Sequence, residues 1–377
     1  MRVAFLANRG AGGQFEPFAE ALRALGHDVS VVSLEPTGGH PAHEYDYRDI
    51  CCYSDWREPG CERAHRERAR SVAAHVEEHV ARELPEVAVV WGNATCDQRA
   101  AVAVCRRLGV PIAFSELGWF RRPPGGCHMD PSGQRTLLLD CIGLNEGHTE
   151  LSREWWDKRL TAEQDGRLDE YIGWWKRTRS SKHGQPGEPL PPRLAECKRR
   201  AIPTLLVLLQ AQWDAAAFFA ESGVTAQADL LRLVRRAAGD GWQVLVKEHP
   251  AAMRAPQPAD GEIWVRDVNI HDCLAAADCV VTANSNAGLE ALLYEKPVVC
   301  LAGAPYSGLG FTFDVRDRRM LERMLARVRW MTPPHLGNRF LRAFLHYVIF
   351  EYCFAPQEAE GLARKLQHRL VSPSVGR

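Results

Sequence analysis

The sequence lacks an excess of charge of either sign, because 47 Lys and Arg residues balance 47 Asp and Glu residues. A formal net charge of zero excludes the strongly basic surface with which proteins usually hold nucleic acid. The chain also lacks any run approaching the ~18 to 20 apolar residues of a membrane span, and its opening apolar run is too short for a signal peptide. We therefore expect a cytoplasmic protein, at most peripheral to the inner face of the membrane, with no nucleic-acid partner.

The twelve cysteines include no C-x-x-C pair and are scattered over all 377 residues. This spacing differs from the disulfide framework of a short secreted chain, so we predict reduced and mostly buried thiols. A zinc set could be assembled from Cys51, Cys52, Cys61 and His65, but the adjacency of the first two is awkward for tetrahedral ligation. We favour structural roles for these four residues.

A second metal pattern lies on a charged segment. His75 and His79 fit the H-x-x-E-H arrangement of one class of zinc peptidase, in which two histidines one helical turn apart face the same ion. The residues around them form many charge pairs at i,i+4 spacing, which is typical of a solvent-exposed helix. We favour that interpretation and expect no metal site.

Hydrophobic patterning divides the chain into two halves of the same kind. The first half predicts strands over 3–7, 29–34, 87–91 and 110–114, with helices ending near 25 and spanning 62–83 and 97–108. The second half predicts strands over 204–209, 242–247, 263–265, 279–282 and 297–301, with helices over 225–238, 271–276 and 288–294. This alternation predicts α/β domains, each with a parallel sheet covered by helices on both faces.

The pattern changes between about 150 and 200, where tryptophan-rich helical stretches precede a proline-rich segment over 180–193. We place the domain linker in that segment, since it is polar and contains few residues that could be buried. The predicted domains are residues 1–190, with a helical insert at about 150–180, and residues 196–335. Helices over 336–377 are expected to pack back across the interface between them.

A glycine turn, Gly10-Ala11-Gly12-Gly13, follows the first predicted strand. Together with Glu35 it imitates the dinucleotide-binding fingerprint, but the third glycine of G-x-G-x-x-G is replaced by Phe15. We therefore expect Gly12 and Gly13 to line an interdomain cleft in a tight strand-to-helix turn. An NAD-dependent oxidoreductase remains an alternative.

Two strand ends in the second half carry polar residues suited to binding a nucleotide. Lys247, Glu248, His249 and Pro250 follow one apolar strand. Ser285, Asn286, Gly288 and Glu290 follow another and begin a helix. Ligands of open α/β sheets lie outside the carboxyl ends of the strands, and a helix N-terminus favours an anion. We predict a phosphate-plus-ribose site here, with Gly288 allowing close approach and Glu290 accepting hydrogen bonds from sugar hydroxyls.

These two segments, together with the stretch 303–314 that contains Tyr306, resemble the C-terminal half of bacterial capsular polysaccharide biosynthesis proteins. In the first half, 114–123 resembles the same family's acidic-acidic-Gly-aromatic-x-Arg-Pro stretch and includes Glu116 and Arg121. Residues 137–145 resemble the apolar strand with an Asp and a Gly that follows, and they contain Asp140. The sequence differs from the family at Leu117, where the second acidic residue is expected.

The resemblance implies a GT-B-like fold, in which two Rossmann-type domains face each other across a cleft. It implies transfer of a sugar, such as Kdo from CMP-Kdo, to a surface glycan or glycolipid, without a cofactor or metal. Glu116 and Asp140 would be catalytic. Lys247, His249, Pro250, Ser285, Asn286, Gly288, Glu290 and Tyr306 would bind the donor, and Arg121 would line the cleft. Because each predicted catalytic carboxylate follows an apolar strand, we expect both at the carboxyl edge of the first sheet.

Two other functions are compatible with the same residues. One is a nucleotide-sugar epimerase of the UDP-sugar 2-epimerase type, which would need no acceptor. The other is a non-catalytic nucleotide-sugar-binding subunit of an assembly complex, which the leucine at position 117 allows. The basic residues between 176 and 200 could lie against an anionic membrane, although we favour a solvated linker beside core tryptophans.

Overall fold

The computed structural model describes residues 1–7, 12–35, 61–92, 95–123, 133–141, 155–210, 227–250, 252, 256–331 and 335–371. The chain forms two compact units. The first unit comprises residues 1–153 and 347–377, and the second comprises residues 154–346. Each unit contains a six-stranded sheet with helices, so the predicted fold class of two α/β domains is confirmed.

The strands of the described residues are β1 (Arg2–Ala7), β2 (Asp28–Ser33), β3 (Val87–Trp91), β4 (Ile112–Leu117), β5 (Leu137–Asp140), β6 (Thr204–Leu208), β7 (Gln243–Lys247), β8 (Ile263–Val265), β9 (Cys279–Thr282), β10 (Val298–Cys300), β11 (Phe313–Asp314) and β12 (Cys353–Phe354). The helices are α1 (Gly12–Ala24), α2 (Cys61–Glu83), α3 (Cys96–Arg107), α4 (Ala162–Thr178), α5 (Pro192–Arg199), α6 (Gln227–Ala238), α7 (Ile270–Ala276), α8 (Asn286–Leu293), α9 (Leu321–Val328), α10 (Arg339–Tyr347) and α11 (Ala359–Val371). The predicted alternation of strands and helices is confirmed in both halves.

The sheet of the first unit has the strand order β2-β1-β3-β4-β5-β12. Strands β1 to β4 are parallel, whereas β5 is antiparallel to β4 and β12 is antiparallel to β5. One face packs against α1 and α11 through a core that includes Phe5, Phe15 and Leu362. The end of the chain therefore belongs to this unit, because it supplies both an edge strand and a covering helix.

The sheet of the second unit has the order β8-β7-β6-β9-β10-β11 and is parallel throughout. Its central strands β6 and β9 are buried along their whole length, which explains their continuous apolar sequence. Helices α6 and α9 cover one face, where Leu230, Val234 and Leu325 pack against the strands. The carboxyl ends of β7 and β9 therefore meet at one edge of this sheet.

The compact units differ in extent from the domains expected from the sequence. The segment 180–193, interpreted above as a linker, lies inside the second unit, and so does α4. Trp175 of α4 packs on His271 with a ring separation of 4.2 Å, Ser180 is fully buried, and Glu188 forms a β-bridge with Val268. Residues rich in proline and charge are thus held by a few buried side chains and backbone hydrogen bonds.

Eight cysteines of the described residues are free thiols, and seven of them are buried. Burial raises the pKa of the Cys105 thiol to about 12, so this cysteine is unreactive at neutral pH. The expected burial of most cysteines is confirmed for these eight. In the part of the chain that the structure describes, no helix combines the length and hydrophobicity needed to cross a membrane.

Candidate functional site

Lys247 ends β7 and is buried, with its ammonium group held by the protein itself. Its Nζ donates to the backbone oxygens of Arg266, at 2.7 Å, and Glu248, at 3.0 Å. Burial lowers the pKa of Lys247, and nearby acidic groups partly oppose this effect. The predicted donor-binding lysine therefore acts here as a positive charge that braces the loop after β7.

His249 lies half-buried just beyond the same strand, followed by Pro250, whose carbonyl oxygen accepts from Arg266. The His249 ring stands 5.4 Å from the ring of His183, edge to face. Burial lowers the pKa of His249, and the positive charges of Lys247 and Lys182 lower it further. The imidazole is therefore neutral at pH 7 in this structure, and a bound anion would favour its protonation.

Helix α8 begins at the carboxyl end of β9, with Ser285 as its N-cap. The Ser285 side chain accepts a hydrogen bond from the Ala287 backbone N–H at 3.3 Å. Asn286 is the first helical residue. Because the backbone N–H groups of the first turn lack helical partners, this end of α8 provides positive potential at the same edge as His249.

Tyr306 packs directly against this helix start. Its hydroxyl donates to the Ser285 carbonyl at 2.5 Å, and a Cβ added to Gly288 would collide with the Tyr306 hydroxyl and the Thr282 methyl group. The structure corrects one expectation: Gly288 admits a tyrosine side chain of the protein itself. Tyr306 is fully buried and supports the N-cap from behind.

Glu290 is fully buried within α8. The Ser181 hydroxyl donates to its carboxylate at 2.9 Å, and the Lys182 backbone also hydrogen-bonds to it. Burial raises the pKa of Glu290 to about 7, although these hydrogen bonds and the Lys182 charge oppose the shift. The carboxylate that was predicted to bind sugar hydroxyls thus anchors segment 180–183 to α8.

The sequence analysis included Lys182 only among the basic residues between 176 and 200 and assigned no role to His183; the hydrogen bond from Ser181 to Glu290 brings both close to His249. Neighbouring contacts fix the same segment: the Ser180 carbonyl lies 2.8 Å from His271 Nε2, and His271 Nδ1 lies 2.9 Å from the Tyr294 hydroxyl. The local sequence of this polar stretch between helices does not indicate that it lies close to His249. Only the hydrogen bond from Ser181 to a buried glutamate reveals it.

The raised pKa of Glu290 predicts a pH dependence of stability. Because the folded state retains the proton longer than the unfolded state, stability should fall as the pH rises from about 4.5 to about 7, by about 3 kcal/mol in total. Glu290→Gln should lack this loss, since its amide oxygen can accept from Ser181 without ionising. Urea unfolding of both proteins at pH 5 and pH 8 measures the difference, and parallel pH profiles would contradict the assignment.

In the first unit, Glu116 lies near the carboxyl end of β4 and is partly exposed. Asp140 ends β5 and is opposite Phe114, while Glu116 is opposite Leu138. Because side chains alternate along strands, Glu116 and Asp140 share one face of the sheet as diagonal neighbours, roughly 7–8 Å apart between Cα atoms. The structure therefore brings the two predicted catalytic carboxylates to one face.

The expectation that both carboxylates lie at the carboxyl edge of the sheet is wrong for Asp140. Strand β5 runs antiparallel to β4, so its end points away from that edge and Asp140 is level with the middle of β4. Asp140 has no exposed surface, and the Tyr352 hydroxyl donates to it at 2.9 Å. Direct attack by Asp140 on a substrate would require this contact to open.

The loop after Glu116 is held closely. A Cβ on Gly118 would overlap the Thr136 side chain, whose hydroxyl donates to the Phe120 carbonyl at 2.6 Å. Arg121, predicted to line a cleft, is buried, and its Nη1 donates to the Gly133 carbonyl at 3.0 Å. These contacts fix the backbone that follows β4 and hence the position of Glu116.

The remaining sequence candidates also have defined positions. Gly12 and Gly13 begin α1, and added Cβ atoms there would meet nothing within 4 Å, so packing does not require glycine at either position. His79 has Ser30 Oγ 3.1 Å from one ring nitrogen and Arg82 Nη2 3.2 Å from the other. Cys51 and Cys52 lie outside the described residues. Among those described, no group of three or more candidate ligands is arranged for a metal.

Two α/β units, each with a largely or wholly parallel six-stranded sheet, are the arrangement of the GT-B class of fold, and comparison with solved structures agrees. KpsC of Thermosulfurimonas dismutans, described as a beta Kdo 2,4 transferase, is 16% identical over 98% of each chain, with a TM-score of 0.58. The KpsC described as a beta Kdo 2,7 transferase is 14% identical over 98% of this chain and 99% of its own, with a TM-score of 0.50. These likenesses show the fold.

The sequence comparison agrees with the structural one. Residues 168–354 match the model of a family described as capsule polysaccharide biosynthesis protein. The resemblance drawn from the motifs is confirmed. No curated protein sequence matches the chain.

Proposed function

We propose that this protein is a glycosyltransferase that moves a sugar from a nucleotide donor, most specifically a CMP-activated acidic sugar such as Kdo, to a glycan or glycolipid. The observation that carries the proposal is the group formed by His249, His183 and Lys182, which the hydrogen bond from Ser181 to Glu290 holds against α8. The match to a family of capsule polysaccharide biosynthesis proteins supports a sugar as the group that is transferred.

The second unit would stabilise the departing nucleotide. A nucleoside monophosphate leaves with growing negative charge on its phosphate, and preorganised positive groups lower the cost of that charge. The start of α8 and Lys182 provide such groups, and His249 would take up a proton from solvent when the anionic donor binds beside it. These groups supply the needed charge without a metal or cofactor, and we propose that neither takes part.

The first unit would supply the base. In our proposal Glu116 removes the proton of the acceptor hydroxyl, since it is the one of the two carboxylates with exposed surface. If Glu116 acts alone, transfer inverts the anomeric centre; if Asp140 attacks that centre first, transfer retains it. The burial of Asp140 beneath Tyr352 supports inversion.

CMP should stabilise the protein, which tests the donor site directly. At 100 times its dissociation constant a ligand adds about 2.7 kcal/mol, visible as a rise in melting temperature. We expect His249→Ala to abolish the rise by removing a phosphate contact. Glu290→Ala should do the same by releasing segment 180–183, and Lys182→Ala and His183→Ala should weaken CMP binding.

The matched control is His368→Ala, an exposed histidine of α11 in the first unit, which should keep the full response to CMP. The same melting assay with UDP and NAD separates the alternative ligands. Stabilisation by UDP or NAD without an effect of CMP would contradict the proposed donor. An unchanged CMP response in His249→Ala would contradict the proposed site.

A second candidate function is a nucleotide-sugar-binding subunit without catalysis. Two observations favour it: Leu117 replaces an acidic residue of the family stretch, and Asp140 is sealed from solvent. Such a subunit would respond to CMP as described above but would transfer no sugar to any acceptor. It would also have assembly partners, whereas the transferase needs only donor and acceptor.

The proposed acceptor also bears on location. A glycolipid acceptor is presented at a membrane surface, so we propose that the protein works as a peripheral protein at the inner face of the cytoplasmic membrane. This location requires a surface that attracts lipid headgroups.

A further inference from the structure

Helix α9 and the residues around it have two opposite stripes. Leu321, Leu325 and Val328 are buried and attach the helix to the core of the second unit. Arg323 and Arg327 on the other side of the helix are exposed, and so are Met320, Trp330 and Met331 in the turns that flank it. We call these five residues the exposed stripe.

Large apolar groups are unusually accessible on the exposed stripe. Trp330 is 84% exposed, and Met320 and Met331 are 44% and 43% exposed. Single exposed hydrophobic residues are ordinary, but an exposed tryptophan between methionines and arginines is typical of an interaction surface. The Arg329 guanidinium lies 5.9 Å from the centre of the Trp330 ring, and the indole nevertheless stays largely exposed.

The charge around the exposed stripe is predominantly positive. Arg316, Arg318, Arg319, Arg323, Arg327 and Arg329 lie within residues 316–331, against two carboxylates, Asp317 and Glu322. Asp317 forms an ion pair with Arg319. The chain as a whole has no net charge, so this concentration of arginine is a local feature.

We infer that the exposed stripe, with the arginines around it, docks the protein on an anionic lipid bilayer. Tryptophan favours the interface between headgroups and acyl chains, methionine inserts readily into apolar surroundings, and arginines attract anionic headgroups. The inference rests on the membrane location proposed above and is independent of the transfer reaction.

This surface differs from the membrane-binding surface considered in the sequence analysis. That surface was the basic stretch 176–200, which has tryptophans near it. In the structure Trp155 and Trp175 are fully buried, and Trp156, which is 48% exposed, stacks on Phe340 with a ring separation of 5.2 Å. Trp330, at 84%, is considerably more exposed than any of these tryptophans.

Sedimentation of the full chain with lipid vesicles tests the inference. One set of vesicles contains phosphatidylcholine alone, and the other contains phosphatidylcholine mixed with phosphatidylglycerol. We expect binding to the mixed vesicles only. Each arginine removed should lower the partition coefficient about five-fold, so Arg323→Ala with Arg327→Ala should lower it roughly 25-fold. Trp330→Ala should also weaken binding, although it removes no charge.

The charge-matched control is Lys198→Ala with Arg199→Ala, at the exposed end of α5. Unchanged melting temperatures establish that all variants are folded. The inference is overturned if the mixed vesicles do not bind the protein, if both vesicle types bind it equally, or if the control loses as much binding as the stripe variant. Binding of a soluble acidic polysaccharide without binding of vesicles would also overturn it, since the stripe would then serve a glycan.

Discussion

Replacing Glu116 by glutamine should lower the rate of sugar transfer by about 10² to 10⁴-fold while CMP still raises the melting temperature as before. Glutamine has nearly the shape of glutamate but cannot accept the proton of an acceptor hydroxyl. The proposed donor site consists of residues of the second unit, so its response to CMP should not depend on this substitution. Product formation and the CMP-induced shift are measured side by side on the same preparation.

The matched control is Glu20→Gln, an exposed carboxylate on α1 of the same unit, which should transfer sugar at the normal rate. Near-normal transfer by Glu116→Gln would contradict the assignment of Glu116 as the base. Absence of transfer in the unmodified protein over a panel of acceptors, together with a full CMP response, would favour the non-catalytic subunit.

Asp140→Asn distinguishes the inverting course of the reaction from the retaining course. A nucleophilic Asp140 predicts a loss of transfer as large as that at Glu116, because an amide cannot form the covalent intermediate. A positioning role beneath Tyr352 predicts a smaller loss, since an asparagine oxygen can still accept from the tyrosine hydroxyl. Normal transfer in this variant would remove Asp140 from the mechanism.

Arg122→Ala should destabilise the first unit by about 3 kcal/mol, because it removes one partner of an ion pair that is largely buried. Arg122 is 3% exposed; its Nε lies 3.4 Å from a Glu358 oxygen and its Nη2 donates to the Cys353 carbonyl at 3.0 Å. The guanidinium also lies over the Phe350 ring. Without it, a buried carbonyl and a carboxylate lose their partner.

The control for this substitution is Arg364→Ala, which breaks an exposed i,i+4 pair with Glu360 in α11. That pair should contribute less than about 0.5 kcal/mol. Denaturant unfolding of both variants measures the two costs. Equal costs would show that Arg122 does not join the C-terminal segment to the loop after β4 in the way proposed.

Local sequence was sufficient to predict most elements of the fold. The apolar runs at Val87–Trp91 and Cys279–Thr282 predicted buried strands, and the residues from Ser285 onward predicted the start of a helix; the structure contains all three. Each of these features depends on neighbours within a few residues. The spacing of hydrophobic residues and the residues that begin a helix can therefore be recognised without knowledge of the rest of the chain.

The motif at Lys247 to Pro250 also lies where the sequence placed it, beyond the end of a parallel strand. The ends of parallel strands share one edge whatever the order of the strands, so the pattern alone indicated a shared site. Chemistry at single residues was less predictable. Glu290 and Tyr306 have the chemical groups expected of ligands, yet both are buried and hydrogen-bonded to the protein itself.

Only the tertiary structure decided which distant residues meet. The direction of β5 depends on how the chain returns to pair with β4, and that direction, not the sequence of Leu137–Asp140, removes Asp140 from the carboxyl edge. Likewise, Ser181 reaches a glutamate more than a hundred residues away, and this contact brings His183 to His249. Strand direction and such long-range hydrogen bonds are properties of the packed chain, because local periodicity specifies which face is buried but not what covers it.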